Sequence, residues 1–227
     1  MRTHANKLTM AKNKLFFLTV FLILKSIFTF SQDTKIEIPN FNDKYSNYVK
    51  QLESGTTDID YTDFRNSFLE SEQFSNKHSQ VYDSLKKEIY NKIKDNNFNA
   101  VIDLTKAMLS IDYTSMFAHM YLQKTYQILG DTANRNKYHD IEFGLINSII
   151  KSGDGKTCKT GWHVTQIEEE YFIIHVVLDA DFQEQAISSG GKNTCDKMVL
   201  KTADGELVTY YFEANKVFEM EQRMFGK

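Results

Sequence analysis

The stretch Ile141–Gln166, IEFGLINSIIKSGDGKTCKTGWHVTQ, contains the point at which the spacing of apolar residues changes. Its first part repeats apolar residues every four positions, as at Leu145 and Ile149, which is typical of one face of a helix. From Trp162 apolar and polar residues alternate, which is typical of a strand. The turn-rich segment Ser152–Gly161 separates the two patterns. The stretch therefore predicts a helical region upstream and a sheet-containing region downstream.

Amphipathic spacing predicts a series of helices before this change. The predicted helices span residues 43–52, 79–95, 98–111, 114–129 and 131–149, with a further one beginning at Asp60. The expected buried face of the 79–95 helix is Val81, Leu85, Ile89 and Ile93, and that of the 114–129 helix includes Ile128 and Leu129.

The last two of these helices are expected to form an antiparallel hairpin. Gly130 is a natural glycine at a helix end, and Asp131 is a natural N-cap for the next helix. The run YQILGD at Tyr126–Asp131 is typical of a tetratricopeptide helix pair, but no second copy follows at a spacing of 34 residues. The residues fit a tetratricopeptide-like hairpin and a plain helical bundle almost equally well.

The downstream region is expected to be a small antiparallel sheet with a C-terminal helix. Strands are predicted at 182–188, 195–202 and 206–213, with Asp204–Gly205 as a hairpin turn, and a helix at Lys216–Phe225. The segment 168–178 fits either a helix or a strand, because three acids favour a helix N-terminus while its Ile and Val residues favour a strand. The predicted fold class is α+β.

The first residues indicate export from the cytoplasm. Residues 1–31 combine a basic start, a short apolar run at Leu15–Leu24 and small residues before Gln32, which is the pattern of a cleavable signal peptide. The true start is Met1 or Met10, and an uncleaved anchor is the alternative. The expected organisation is a signal peptide at 1–31, an extended tether at 32–42, a helical region at 43–152 and an α+β region at 153–227. Residues 43–227 are alternatively one continuous domain. We expect a periplasmic or extracellular protein without a stable membrane span after cleavage.

The net charge argues against nucleic acid as a partner. Without residues 1–31 the chain has 22 basic and 30 acidic residues, a net charge of −8. Phosphate backbones would repel such a surface on average.

Several motifs resemble catalytic or metal-binding patterns without fulfilling them. Gly153–Thr157, GDGKT, follows a predicted helix and lacks the first glycine of a phosphate-binding loop, so it is interpreted as a turn. The adjacent acids at 168–170 cannot face each other as a glycosidase pair does, and we interpret them as a solvated acidic turn. His119, His139 and Asp140 could meet as a weak metal site, but chance pairing explains them better. The sequence predicts no cofactor, metal ion or catalytic residue.

The two cysteines, Cys158 and Cys195, are the most informative pair of side chains. In an oxidising compartment two cysteines commonly form a disulfide, and this interpretation is favoured over free thiols. A zinc site that adds His163 would lack a fourth ligand.

Short motifs spread along the chain resemble the bacterial domain-of-unknown-function family 4919. They are Asp112–Tyr113, Ala118–Asp131, Ser152–Thr157, Glu169–Tyr171, Asp196–Met198, Asp204–Gly205 and Tyr211–Phe212. The family pattern commonly has proline where Cys158 stands, so the resemblance does not imply the disulfide. It implies export and an α+β domain over nearly the whole mature chain, and no activity.

These features favour a non-enzymatic, exported protein that binds another protein or an envelope component. The alternative is an exported hydrolase whose site includes His163, His175 and the acids at Glu168. A third hypothesis is a structural envelope protein held by its uncleaved N-terminus.

Overall fold

The computed structural model describes residues 34–37, 40–78 and 80–225. The predicted signal peptide, residues 1–31, lies outside the described residues. The first half contains α1 (Lys44–Glu53), α2 (Tyr61–Glu70), α3 (Gln80–Lys94), α4 (Phe98–Ile111), α5 (Met116–Leu129) and α6 (Thr132–Ile150), with a 3-10 helix at Glu72–His78. The helices predicted upstream of Ser152 are therefore confirmed.

Side-chain caps fix where several of these helices begin. Asp43, Asp60, Asn97 and Asp131 each accept a hydrogen bond from the backbone amide three residues further on. These bonds satisfy amides that have no partner within the helix. Gly130 ends α5 in the left-handed conformation, at φ +76°, as predicted.

The buried faces of two helices differ from those predicted. In α3, Ile89 is buried and Leu85 and Ile93 pack against the core as predicted, but Val81 is 59 % exposed and its neighbour Tyr82 is buried in its place. The ammonium groups of Lys77 and Lys86 contact the Tyr82 ring at 5.5 and 4.8 Å from its centre. Ile128 and Leu129 are also exposed, because Leu122 and Tyr126 occupy the buried face of α5.

The second half contains the sheet and two helices. Its elements are a 3-10 turn at Cys158–Thr160, β1 (Trp162–His163), α7 (Ile167–Phe172), which continues as a π-helical turn over Ile173–Val177, then β2 (Asp181–Gly190), β3 (Asn193–Lys201), β4 (Leu207–Glu213) and α8 (Asn215–Phe225). The α+β fold class and the three main strands are confirmed. The segment 168–178, for which the sequence allowed either a helix or a strand, is helical. This conformation buries Ile173 and Ile174 fully in the core.

The sheet is mixed and not wholly antiparallel. The strand order is β1-β4-β3-β2, and β1 lies parallel to β4 with Trp162 opposite Phe212. The strand expected from Trp162 onward ends after two residues, because Glu169 of α7 accepts hydrogen bonds from the amide and hydroxyl of Thr165 and draws the chain into that helix.

Side chains close the outer side of β1. The amide of His163 donates to Ser152 Oγ at 2.7 Å, and its carbonyl accepts from Arg65 Nη2 at 3.3 Å. The backbone groups of His163 are thus satisfied without another strand.

One hydrophobic core runs through both halves. It joins the rings of Tyr45 and Phe64 in the helical part to Trp162 and Phe212 in the sheet. Residues 35–227 form a single compact unit. Ile36, in the segment expected to be a tether, is buried in this core.

Candidate functional site

The acidic run at the start of α7 is not the solvated turn that we predicted. Glu168 is 39 % exposed, but the side chain of Glu169 is only 3 % exposed and Glu170 is fully buried. The helix N-terminus favours negative charge. The turn prediction was wrong because the segment starts a helix and cations from the helical half reach Glu168 and Glu169.

The buried cation beside Glu169 is Arg65. Arg65 Nη1 donates to Glu169 Oε2 at 2.7 Å, and both side chains lie inside the protein. Arg65 Nε donates to Ser148 Oγ at 2.9 Å. The guanidinium therefore connects α2, α6 and α7, and it compensates a charge that would be costly to bury alone.

A second buried cation, Lys77, lies beside Asp112 and Glu168. Its ammonium is 2.7 Å from Asp112 and 3.1 Å from Glu168, and it also donates to Gln166. Lys86 contacts the other oxygen of Glu168 at 2.6 Å. The adjoining cavity is about 20 Å³, which leaves room for about one water molecule. This network of ion pairs therefore connects helices to one another and leaves no space for a ligand.

The charges of this network shift the pKa values of its members. Burial would lower the pKa of Lys77, but the carboxylates of Asp112 and Glu168 outweigh it and raise that pKa. Burial would raise the pKa of Glu168, but the two lysines lower it to about 2. Both groups are therefore charged at neutral pH.

The residues considered for a hydrolase each have a different partner. His163 Nδ1 lies 2.6 Å from Glu213 Oε2, and His175 Nδ1 lies 3.0 Å from the carbonyl of Ala180. Glu168 pairs with the two lysines described above. The hydrogen bonds of these three residues do not join them to one another.

The histidines considered for a weak metal site lie in different environments. His119 is fully buried and donates through Nε2 to the carbonyl of Tyr113 at 2.7 Å, whereas His139 lies near the surface beside Asp140. Burial lowers the pKa of His119 to about 4. In the described part of the chain, no group of three or more His, Cys, Asp or Glu side chains could hold a metal ion.

A disulfide joins Cys158 to Cys195. The bond fastens the 3-10 turn before β1 to strand β3, with 5.6 Å between the Cα atoms. Gly190 allows this approach, because a Cβ there would lie 2.9 Å from Cβ of Cys158. The bond is a covalent support of the sheet.

The GDGKT motif forms a closed turn. The amides of Asp154 and Gly155 both donate to the carbonyl of Thr160 at 3.0 Å, and the Asp154 carboxylate accepts from Thr160 Oγ1 and the amide of Lys156. The amides of a phosphate-binding loop point outward to the ligand, whereas these point into the turn.

The candidate site that the structure offers is an open cleft between the start of α2 and the end of α6. Its volume is about 560 Å³, within the range of small-molecule sites. Its walls carry hydroxyl, amide, carboxylate and ammonium groups. They are formed by residues 57–62 on one side and by Gly144, Asn147, Ser148, Lys151 and Ser152 on the other.

Contacts within the protein hold two of the residues that line the cleft, Tyr61 and Ser148. The Tyr61 ring lies against Gly144, where an added Cβ would come within 2.2 Å of a ring carbon, and its hydroxyl donates to the carbonyl of Thr57 at 2.9 Å. Burial raises the pKa of the Tyr61 hydroxyl, so it stays protonated as a donor. Beneath the opposite wall, Arg65 holds Ser148 in place. A ligand would therefore meet a preformed surface.

Sequence reasoning missed both the cleft and the ionic network. A signal for Arg65 was present, since it lies three and four residues before Phe68 and Leu69 on the buried face of α2. The amphipathic spacing thus placed a charged residue among core residues.

Fold and site define an α+β protein with one shared core, a buried ionic network between its halves and an open polar cleft. The chain belongs to the family described as domain of unknown function DUF4919, whose model matches residues 32–223. The resemblance found in the sequence is confirmed. No curated protein and no solved structure matches the chain.

Among the described residues, no helix combines the length and the apolar character that crossing a membrane requires.

Proposed function

We propose that the protein is an exported, non-enzymatic binding module that holds a polar group of a partner protein or envelope component in the cleft between α2 and α6. The observation that carries this proposal is the size of the cleft, about 560 Å³, together with the polar side chains that line it on both sides. Residues from two helices supply both donors and acceptors, which suits recognition of a polar ligand.

The charges in the cleft favour a ligand that carries both kinds of hydrogen-bonding group. Asp58 and Asp60 lie on one side and Lys151 on the other. One oxygen of Asp60 is engaged in capping α2, whereas the exposed Lys151 has no ion pair with a described residue. The lysine is therefore the group through which the cleft can gain most from an acidic or carbonyl oxygen of the ligand.

The leader at residues 1–31 and the disulfide support the proposed location outside the cytoplasm. Disulfides persist in oxidising compartments. N-terminal sequencing of the protein recovered from cells tests this point. A start at Gln32 supports export with cleavage, whereas an intact leader contradicts it and favours an anchored structural protein.

Site-specific photo-crosslinking tests the cleft. A photoreactive residue at Asn147, inside the cleft, should give a distinct adduct with an envelope extract, whereas one at the exposed Tyr90 should not. Lys151→Glu should abolish the adduct, and Lys87→Glu, the same charge reversal on the outer face of α3, should retain it. Equal adducts from both positions, or none from Asn147, would contradict the proposal.

The hydrolase remains a second candidate because of one contact. Ser152, at the rim of the cleft, accepts the amide of His163, and the imidazole of His163 pairs with Glu213. However, Ser152 Oγ donates to the carbonyl of Ile149 at 2.6 Å and not to the imidazole. A serine-directed fluorophosphonate distinguishes the two functions, since covalent labelling of Ser152 supports a hydrolase and a lack of labelling supports the binding module.

A further inference from the structure

Strand β2 forms an open edge of the sheet. It is ten residues long and pairs with β3 on one side, and no described strand pairs with its other side. Most of its residues are exposed. An edge of this length presents unpaired amides and carbonyls that can accept a further strand.

The features that normally protect an edge lie only in the first half of β2. Asp181 and Glu184 are charged, and the register with β3 shifts between Phe182 and Glu184. The second half, residues 185–190, contains neither charge nor proline, and its Ile187 side chain is 70 % exposed. An exposed β-branched residue on an unprotected edge marks an interaction surface.

The distribution of charge favours an identical strand as the partner. Acidic residues lie at the start of β2, whereas Lys192 follows its end in the turn to β3. An antiparallel pair centred on Ile187 places Glu184 of one copy opposite Gly190 of the other, next to the turn that carries Lys192. Both side chains are long, and an opposite-charge pair across two strands is favourable. The symmetry of the pair makes this ion pair twice, whereas parallel pairing would align the acidic residues with each other.

We propose that a second copy of this chain pairs with β2 in antiparallel orientation, with the two Ile187 side chains adjacent at the twofold axis. This surface is separate from the residues of the polar cleft. The dimer would continue the sheet through both copies and cover the exposed Ile187 side chains.

Cysteine crosslinking tests the geometry. Directly opposed residues of an antiparallel pair have Cα atoms about 4.5–5.5 Å apart, which suits a disulfide. Under mild oxidation Ile187→Cys should become a covalent dimer, whereas Leu207→Cys on β4, of similar exposure at 68 %, should remain monomeric. Equal crosslinking of the two variants, or none at Ile187→Cys, would overturn the proposed register.

Sedimentation of the protein without added cysteines tests the association itself. The wild type should show a concentration-dependent dimer, and Ile187→Lys should be monomeric with an unchanged melting temperature, because its side chain is exposed. Glu184→Lys should weaken the dimer, and adding Lys192→Glu should restore it. A monomer at every concentration, or a dimer insensitive to all of these changes, would refute the proposal. Cleft crosslinking at Asn147 is measured separately, so the two proposals can fail independently.

Discussion

Arg65 Nη1 and Glu169 Oε2 lie 2.7 Å apart inside the protein, although 104 positions separate the two residues in the sequence. The pair joins the helical half to the segment that enters the sheet. Each charge is acceptable inside the protein only because the other is present. Removing one partner therefore has a greater effect than its single ion pair suggests.

Arg65→Met should lower the free energy of unfolding by about 3–5 kcal/mol, because Glu169 would keep its carboxylate without the buried cation. Arg135→Met, the same change at an arginine on the surface of α6, should cost less than about 1 kcal/mol. Urea unfolding of both variants measures the difference. Equal stability of the two variants would show that Arg65 is not essential to the core.

Glu168→Gln should reduce stability at neutral pH by about 1 kcal/mol, because the carboxylate is 39 % exposed and solvent screens part of its attraction to the lysines. Its folded pKa of about 2 lies below the ordinary value of 4.5, so this contribution is complete above pH 4.5 and disappears as the pH falls towards 2. Unfolding free energies of wild type and variant should therefore converge in acid. Glu219→Gln, at a more exposed ion pair, is the control, and a difference that persists at low pH would contradict the assignment.

Because of His119, the free energy of unfolding should decrease as the pH falls from 6.5 to 4. Its folded pKa of about 4 lies below the ordinary 6.5, so in this range the unfolded chain binds more protons and stability falls by up to about 3 kcal/mol. The fully buried Nδ1, which has no hydrogen-bond partner, explains why the charged form is disfavoured. His119→Gln should flatten the pH dependence, and His139→Gln should not. Chemical denaturation at several pH values measures this pH dependence. A His119 ring that titrates near pH 6.5 by NMR would contradict the prediction.

Loss of the disulfide should destabilise the protein by about 4 kcal/mol, because the bond closes a loop over a sequence separation of 37 residues. Reduction under denaturing conditions should raise the mass by about 2 Da, which reports one bond between the two cysteines. The Cys158→Ser/Cys195→Ser variant should melt at a lower temperature and should not respond further to reductant. A wild type whose mass and stability do not change on reduction would exclude the bond.

Gly144→Ala should destabilise the protein by about 1–3 kcal/mol, although alanine is the better helix former. Its Cβ would lie 2.2 Å from the Tyr61 ring at the floor of the cleft. Tyr61→Ala should also be destabilising, but combining both changes should cost less than the sum, since the clash is then gone. Thermal unfolding of the two single variants and the double variant forms a double-mutant cycle. Additive effects would show that Gly144 and Tyr61 do not interact.

The sequence allowed prediction of the elements whose signals are local. Caps such as Asp60 and Asp131, the helix at 98–111 and the Asp204–Gly205 turn depend on near neighbours, and the structure contains them all. The faces of α3 and α5 were partly misjudged. Tyr82 is buried in place of Val81 in α3, and Tyr126 is buried in α5 whereas Ile128 and Leu129 are exposed.

The candidate site could not be predicted in the same way. The cleft arises where the loop before α2 meets the last turns of α6, more than 80 residues later. Likewise, Lys77 meets Asp112 and Glu168 only through the tertiary fold. Spacing along the chain gives no measure of such distances, so a run of acids next to an apolar segment looked solvated although two of its members are buried.

The closed outer side of β1 limits how far copies of the protein could assemble through their sheets. Ser152 and Arg65 occupy the backbone groups of His163 there, and β1 covers β4 only at Phe212 and Glu213. The ten-residue β2 is therefore the longest edge without a partner strand in the described sheet. Strand pairing through a single edge is isologous and is complete after two copies. A sheet whose two ends paired equally well could instead grow into a filament, and the engaged backbone of His163 opposes strand addition at the β1 end.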